Sequence, residues 1–271
     1  MQASGKTERP GSAARGSVLT ASPVPPECPK ALWLVRHGES AGNVARDEAH
    51  AAGLERIAIA VERDMDVPLS PLGAQQAAAL GRWIKEQPPK LQPTAALTSP
   101  YLRARSTAET LLREAGLGNV SLTVDERLRE REFGMLDRLT RRGIEQLFPD
   151  QAAARRALGK FYHRPPGGES WCDVILRLRT FIEDLAREER GERVLVVCHS
   201  VVVLCFRYIL ERMTEEQILA IDRETDVANC SLTIYELAGD GLELQRFNFV
   251  APLRQEGAPV TTEPDVQLKP R

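Results

Sequence analysis

The stretch Leu34-Val35-Arg36-His37-Gly38-Glu39-Ser40 decides how the rest of the chain is read. Ahead of and into it, Ala31-Leu32-Trp33-Leu34-Val35 is an unbroken apolar run, the composition of a strand covered on both faces. Such a strand belongs to a sheet with helices on either side, and His37 then falls just past its carboxyl end. Arg36 brings a planar, permanently charged fork suited to an oxyanion, Gly38 lets backbone approach closely, and Ser40 and Asn43 open the next helix. Arginine beside a helix N-terminus describes an anion site.

Outward from this stretch the same alternation repeats. Residues 70 to 86 read as a helix, with Ser70 as N-cap, Pro71 at the first helical position, and Leu72, Ala79, Leu80, Trp83 and Ile84 on one face. Thr94 to Thr98 is a second strand, and Ser99-Pro100 reads as the same cap-then-proline entry to a helix from Tyr101 to Glu114. From Trp171 to Glu188, Val174, Ile175, Leu178, Phe181, Ile182 and Leu185 keep helical spacing after a capping box of Ser170 and Asp173. Arg193 to Cys198 is another buried strand, ending at His199-Ser200, and Val201 to Leu210 is apolar nearly all round, as a buried helix is. Two last strands pair through Gly239-Asp240-Gly241, and the slip of apolar parity between Leu242, Leu244 and Phe247, Phe249 predicts a bulge. The expected fold is α/β: three layers, a mostly parallel sheet with helices on both faces, and a ligand beyond the carboxyl ends of the strands. That rule brings His37, His199 and Arg103 to one mouth.

Composition narrows the function classes. With 271 residues the chain can bury one sizeable core, and its 42% hydrophobic and 27% charged residues are ordinary for a soluble protein. A net charge of -2 argues against a nucleic-acid binder held by phosphate neutralisation. The longest apolar runs are interrupted by His199, Ser200 and Arg207, too short to cross a bilayer. Residues 1–30, rich in Ser, Gly, Ala and Pro, are expected as a disordered tail without the apolar stretch of a secretory signal, residues 31–252 as the folded domain, and 253–271 as a second tail. The five cysteines are odd in number and none has the two-residue spacing of a zinc or thioredoxin-like site, so reduced thiols in the cytoplasm are expected and no metal site is.

Leu34-Val35-Arg36-His37-Gly38-Glu39-Ser40 with Asn43 resembles the opening motif of the histidine phosphatase superfamily, which includes the phosphoglycerate mutases. In family order follow Asp66-Val67-Pro68-Leu69-Ser70-Pro71-Leu72-Gly73, Thr98-Ser99-Pro100-Tyr101-Leu102-Arg103-Ala104, Leu128-Arg129-Glu130-Arg131-Glu132-Phe133-Gly134, Gly167-Gly168-Glu169-Ser170 and Val196-Val197-Cys198-His199. The resemblance covers about residues 31 to 237 and implies a phosphoglycerate mutase-like fold. It also implies a pocket of Arg36, His37, Arg103 and His199 around a phosphate, with Glu130 as proton donor. Expected, then, is a phosphomonoester phosphatase working through a phosphohistidine at His37, with no cofactor and no metal. Its partner would be a small phosphorylated metabolite or a phosphoprotein.

The chemistry is consistent with those roles. A histidine attacks phosphorus only as neutral imidazole, with one nitrogen free and the other held protonated, usually by a backbone carbonyl. Two arginines and a second histidine would offset charge on the transferring group. A carboxylic acid of ordinary pKa about 4.3 can donate to the leaving oxygen only if bound phosphate raises it. Glu132 competes with Glu130 for that role. Asn43 and Ser200 either orient a phosphate oxygen or cap helices, and Ser200 stands where the family often has glycine. Glu169 and Ser170 are either substrate contacts or a helix start. His50 and His163 read as surface or substrate-loop residues, and segments 44–63 and 138–166 as the shapers of substrate choice. The rivals to a phosphatase are a phosphoglycerate-type mutase and an inactive phosphate- or phosphoprotein-binding module.

Overall fold

The computed structural model describes residues 28–262 apart from Arg190 and Asp240. The elements run β1 (Ala31–Arg36), α1 (Ala41–Ala51), α2 (Pro71–Lys85), β2 (Ala95–Thr98), α3 (Leu102–Glu114), β3 (Leu122–Val124), α4 (Arg141–Leu147), α5 (Pro149–Tyr162), α6 (Trp171–Glu188), β4 (Arg193–Cys198), α7 (Ser200–Leu210), α8 (Glu215–Glu224), β5 (Leu232–Ala238), β6 (Gly241–Phe249) and α9 (Ala251–Gln255). The strands form one sheet in the order β3-β2-β4-β1-β5-β6. The first four are parallel and the last two antiparallel.

The unbroken apolar run of β1 has the reason expected of it, because alternate residues enter different cores. Leu32 and Leu34 join Val194 and Val196 of β4 against Val174, Leu178 and Phe181 of α6 and Val202 and Phe206 of α7. Trp33 and Val35 join Leu195 and Val197 against Ala77, Leu80 and Ile84 of α2 and Ala108 and Leu111 of α3. The result is a three-layer α/β fold. Each fully buried Leu, Ile or Phe in these clusters contributes roughly 1.5–3 kcal/mol. Helix α6 starts with the capping box of Ser170 and Asp173, and α2 with Ser70 accepting from the Gly73 N–H and proline in its first turn. Strands β5 and β6 form the expected hairpin, with register shifts between Leu232 and Tyr235.

Several expectations are corrected. The tail expected from residue 253 is packed where described: Leu253 is 0% exposed in the α2–α3 core, and Gln76 Nε2 donates to the Pro259 carbonyl and the Thr261 hydroxyl. A buried amide is satisfied by such partners, and apolar Leu253, Ala258 and Val260 pack alongside. Most of the expected N-terminal tail lies outside the described residues, but Cys28 is 3% exposed. Ser99 does not cap α3: the N-cap position is Tyr101, with no side-chain cap. His163 is buried, not superficial, and burial with Arg155 and Arg131 nearby lowers its pKa.

Candidate active site

The parallel strands deliver the site. The His37 N–H donates to the Cys198 carbonyl at 2.9 Å and the Ser99 N–H to the Val197 carbonyl at 3.0 Å, so the chain leaves β1, β2 and β4 side by side. The His37 carbonyl accepts from Asn229 Nδ2 at 3.0 Å and from the Cys230 N–H at 3.3 Å. The Gly38 N–H donates to Thr107 Oγ1 at 3.0 Å and the Glu39 N–H to Gln76 Oε1 at 2.9 Å. Below this loop lies Gly73, where an added Cβ would fall 1.9 Å from the Glu39 carbonyl oxygen. Only glycine allows α2 to start so close beneath the loop.

His37 is 3% exposed and His199 0%. Their ring centroids are 5.1 Å apart. His37 Nδ1 lies 2.7 Å from the Gly38 carbonyl oxygen, and a carbonyl can only accept, so Nδ1 carries the proton and Nε2 keeps its lone pair. The pKa of His37 lies well below its usual value, first through burial and then through Arg103 and Arg36. His199 is lowered likewise by burial, then by Arg103 and His37. Both rings are therefore neutral near neutral pH. His199 Nε2 contacts the Ser99 hydroxyl at 2.7 Å, and its Nδ1 faces Glu130 Oε2 at 3.6 Å. Ser99, read from the sequence as a cap, thus belongs to this site.

Arg36 is 1% exposed and Arg103 5%. Arg36 Nη1 donates to the Val227 carbonyl at 2.6 Å. Arg103 stacks on the Tyr101 ring, 4.8 Å from its centroid, and pairs with Asp64, Nη2 to Oδ2 at 2.9 Å. Nothing local in the sequence marked Asp64 or Asn229; both meet the site from distant segments.

Glu130 and Glu132 face different ways. Glu130 Oε1 accepts from the Arg131 N–H at 2.8 Å, leaving Oε2 toward His199. Glu132 Oε1 takes the Tyr101 hydroxyl at 2.5 Å. A cavity of about 850 Å³ includes His37, Asn43, Arg103 and Glu130 in its lining. Segments 44–63 and 138–166 supply much of the remaining wall, including Arg46, His50, Ile57, Ile59, Arg141, Ile144 and Arg155. Asn43 accepts through Oδ1 from the Ser40 N–H at 3.0 Å and closes a capping box, so only its amide nitrogen is left to offer an anion. Ser200 is the first residue of α7, after His199 as N-cap, and lines a smaller chamber of about 150 Å³ beside Glu130. Glu169 is engaged by Arg177 Nε at 3.0 Å, Arg129 Nη2 at 2.5 Å and the Glu132 N–H at 3.2 Å. It is thus a brace between α6 and the 129–132 segment, and Ser170 is the cap of α6.

Residues 32–250 match the model of the histidine phosphatase superfamily (branch 1). The chain belongs to that superfamily. Among its curated relatives, 6-phosphofructo-2-kinase/fructose-2,6-bisphosphatase of Gallus gallus is 32% identical over 69% of the chain and 34% of its own length. The chain thus spans about a third of that relative. A 2,3-bisphosphoglycerate-dependent phosphoglycerate mutase of Methylorubrum extorquens is 30% identical over 77% of the chain and 90% of its own. Among solved structures, mycobacterial glucosyl-3-phosphoglycerate phosphatase, in a complex with VO3, superposes with a TM-score of 0.61 at 25% identity, covering 81% of this chain and 99% of its own. No helix among the described residues is long and apolar enough to cross a membrane.

Proposed function

We propose that this member of the superfamily is a phosphomonoester hydrolase that transfers the phosphoryl group to His37 and then to water, with Glu130 as the acid and base. The observation that carries this reading is the 2.7 Å contact of His37 Nδ1 with the Gly38 carbonyl, on a ring whose pKa burial and two arginines depress. Together they favour a nucleophile already in its reactive tautomer. In the first step Nε2 of His37 forms a bond to phosphorus as the phosphorus–oxygen ester bond breaks, and Glu130 gives its proton to the departing oxygen. In the second, water attacks phosphorus, its proton passes to the Glu130 carboxylate, the phosphorus–nitrogen bond breaks, and phosphate leaves. Arg36 and Arg103 offset charge on the transferring oxygens, and neutral His199 offers them a ring N–H. Glu132 is a poorer donor because its carboxylate already accepts a hydrogen bond from the Tyr101 hydroxyl.

The 30% identity to a phosphoglycerate mutase over 90% of that protein favours a second reading, in which another substrate molecule takes the phosphoryl group in place of water. Incubation with 3-phosphoglycerate and a trace of 2,3-bisphosphoglycerate separates the two. Phosphate release faster than isomerisation is expected, and the reverse order would make the protein a mutase. Hydrolysis of p-nitrophenyl phosphate is expected to survive a strong chelator. Loss on chelation with recovery on adding a divalent metal would overturn the proposed mechanism.

A further inference from the structure

Arg103 is not held as a waiting phosphate ligand. Its side chain is 7% exposed, and Asp64 already occupies it. Nη1 donates to the Asp64 backbone carbonyl at 2.8 Å and to Oδ1 at 3.3 Å, while Nη2 donates to Oδ2 at 2.9 Å. Of the five N–H groups of a guanidinium, the end-on fork is thereby spent on a carboxylate. A phosphate dianion arriving at His37 meets a cation whose best edge carries another anion, and two anions on one fork oppose each other.

The segment that bears Asp64 is suited to let go. Asp64, Met65 and Asp66 form a single 3-10 turn in which no residue is buried. The chain around it is anchored at Ile57, whose N–H donates to the Arg138 carbonyl at 2.8 Å, and at Val67, which is 0% exposed. Between these points Arg138 Nη2 holds the Glu62 carbonyl at 2.8 Å. The Asp64 charge is also one of the causes, after burial, that raise the pKa of Asp137, another carboxyl of the same cavity wall. That repulsion weakens the hold of Arg103 on Asp64.

Resting on the phosphatase reading, we propose that Asp64 is a built-in competitor of the substrate phosphate for Arg103, so that phosphate binding and release of the 63–66 turn are one event. Asp64 is then a residue that sets the affinity of the site for phosphate, substrate and product alike. It occupies the fork in the free enzyme and gives way to a group of higher charge. If it were only a buttress that orients Arg103, removing its charge would weaken phosphate binding instead.

The test uses inorganic phosphate as the probe, by titration and as an inhibitor of p-nitrophenyl phosphate hydrolysis. Asp64→Asn, which keeps the shape and removes the charge, is expected to bind phosphate about fivefold more tightly, the upper range for one partly exposed opposing charge. In the parent, saturating phosphate is expected to speed hydrogen exchange at the amides of Asp66 and Val67, which bond to the Arg63 and Asp64 carbonyls. Phosphate binding no tighter in Asp64→Asn, or exchange unchanged or slowed at those amides, would overturn the proposal. Arg103→Ala is the control that isolates the phosphatase reading. If it binds phosphate as well as the parent, Arg103 is not in the phosphate pocket at all, and that reading of Arg103 is what fails.

Discussion

Glu130 Oε2 lies 3.6 Å from His199 Nδ1, which places a carboxyl oxygen against the histidine pair. Glu132, two residues on, is turned away to Tyr101. The pairing makes the acid role testable through the leaving group. A p-nitrophenolate can depart unprotonated, whereas a sugar or glycerol alkoxide is too basic to do so at neutral pH.

Glu130→Gln is therefore expected to cost alkyl phosphates at least roughly tenfold more in kcat/KM than p-nitrophenyl phosphate, since general acid catalysis contributes about 10²–10⁴-fold. Glu132→Gln is expected to show little difference between the two substrates. Equal losses on both substrates for Glu130→Gln, in a folded protein, would make it structural. A selective loss for Glu132→Gln would move the role there.

Buried His37 and His199 make stability depend on pH, and His163, also lowered by burial, acts in the same direction. In the unfolded chain each titrates near 6.5, and in the folded protein both pKa values lie well below that. The unfolded state then binds more protons as pH falls below 6.5, so stability is kept above that value and lost beneath it. Thermal melts between pH 8 and pH 5 are expected to show the loss, and His37→Asn, which removes one of these groups, a smaller one. Parallel curves for the two proteins would show that His37 is not held neutral.

Gly73 is the point where the start of α2 meets the loop that carries His37. Because an added Cβ would fall 1.9 Å from the Glu39 carbonyl oxygen, Gly73→Ala must push the loop away or α2 down. A loss of about 1–3 kcal/mol in stability is expected from such overpacking, with at least roughly tenfold lower kcat from the displaced His37, since misplacement by about 1 Å costs on the order of 10²-fold. Urea denaturation alongside steady-state kinetics checks both. Unchanged kcat would show that the loop does not depend on this contact.

How much was legible follows from what each residue depends on. β1 and β4 were readable because both of their faces are covered, which leaves no polar position in the run; α2 and α6 were readable because Ser70 and Ser170 cap them locally. Strand β3 escaped notice because it is three residues at a sheet edge, with Thr123 and Val124 exposed. The 253–262 segment reads as a tail in sequence because what holds it is far away along the chain: Leu253 enters the α2–α3 core, Gln76 meets Pro259 across 183 residues, and Thr261 bonds to Asn229. His37, Arg103 and His199 could be placed by their positions after strands. Ser99 could not, because Ser-Pro before a helix is the ordinary sign of a cap, and only the geometry turns its hydroxyl to His199. Asp64 and Asn229 have no local sequence mark, since each acts through a partner from a distant segment.

The phosphohistidine at His37 is tested most directly by mixing the protein with substrate, quenching within the turnover time, and locating the phosphoryl group by mass spectrometry. A single phosphorylated residue, His37, is expected, with a modification labile in acid and stable in base, and none in His37→Ala. A phosphoryl group on serine or cysteine, or turnover that persists in His37→Ala, would contradict it.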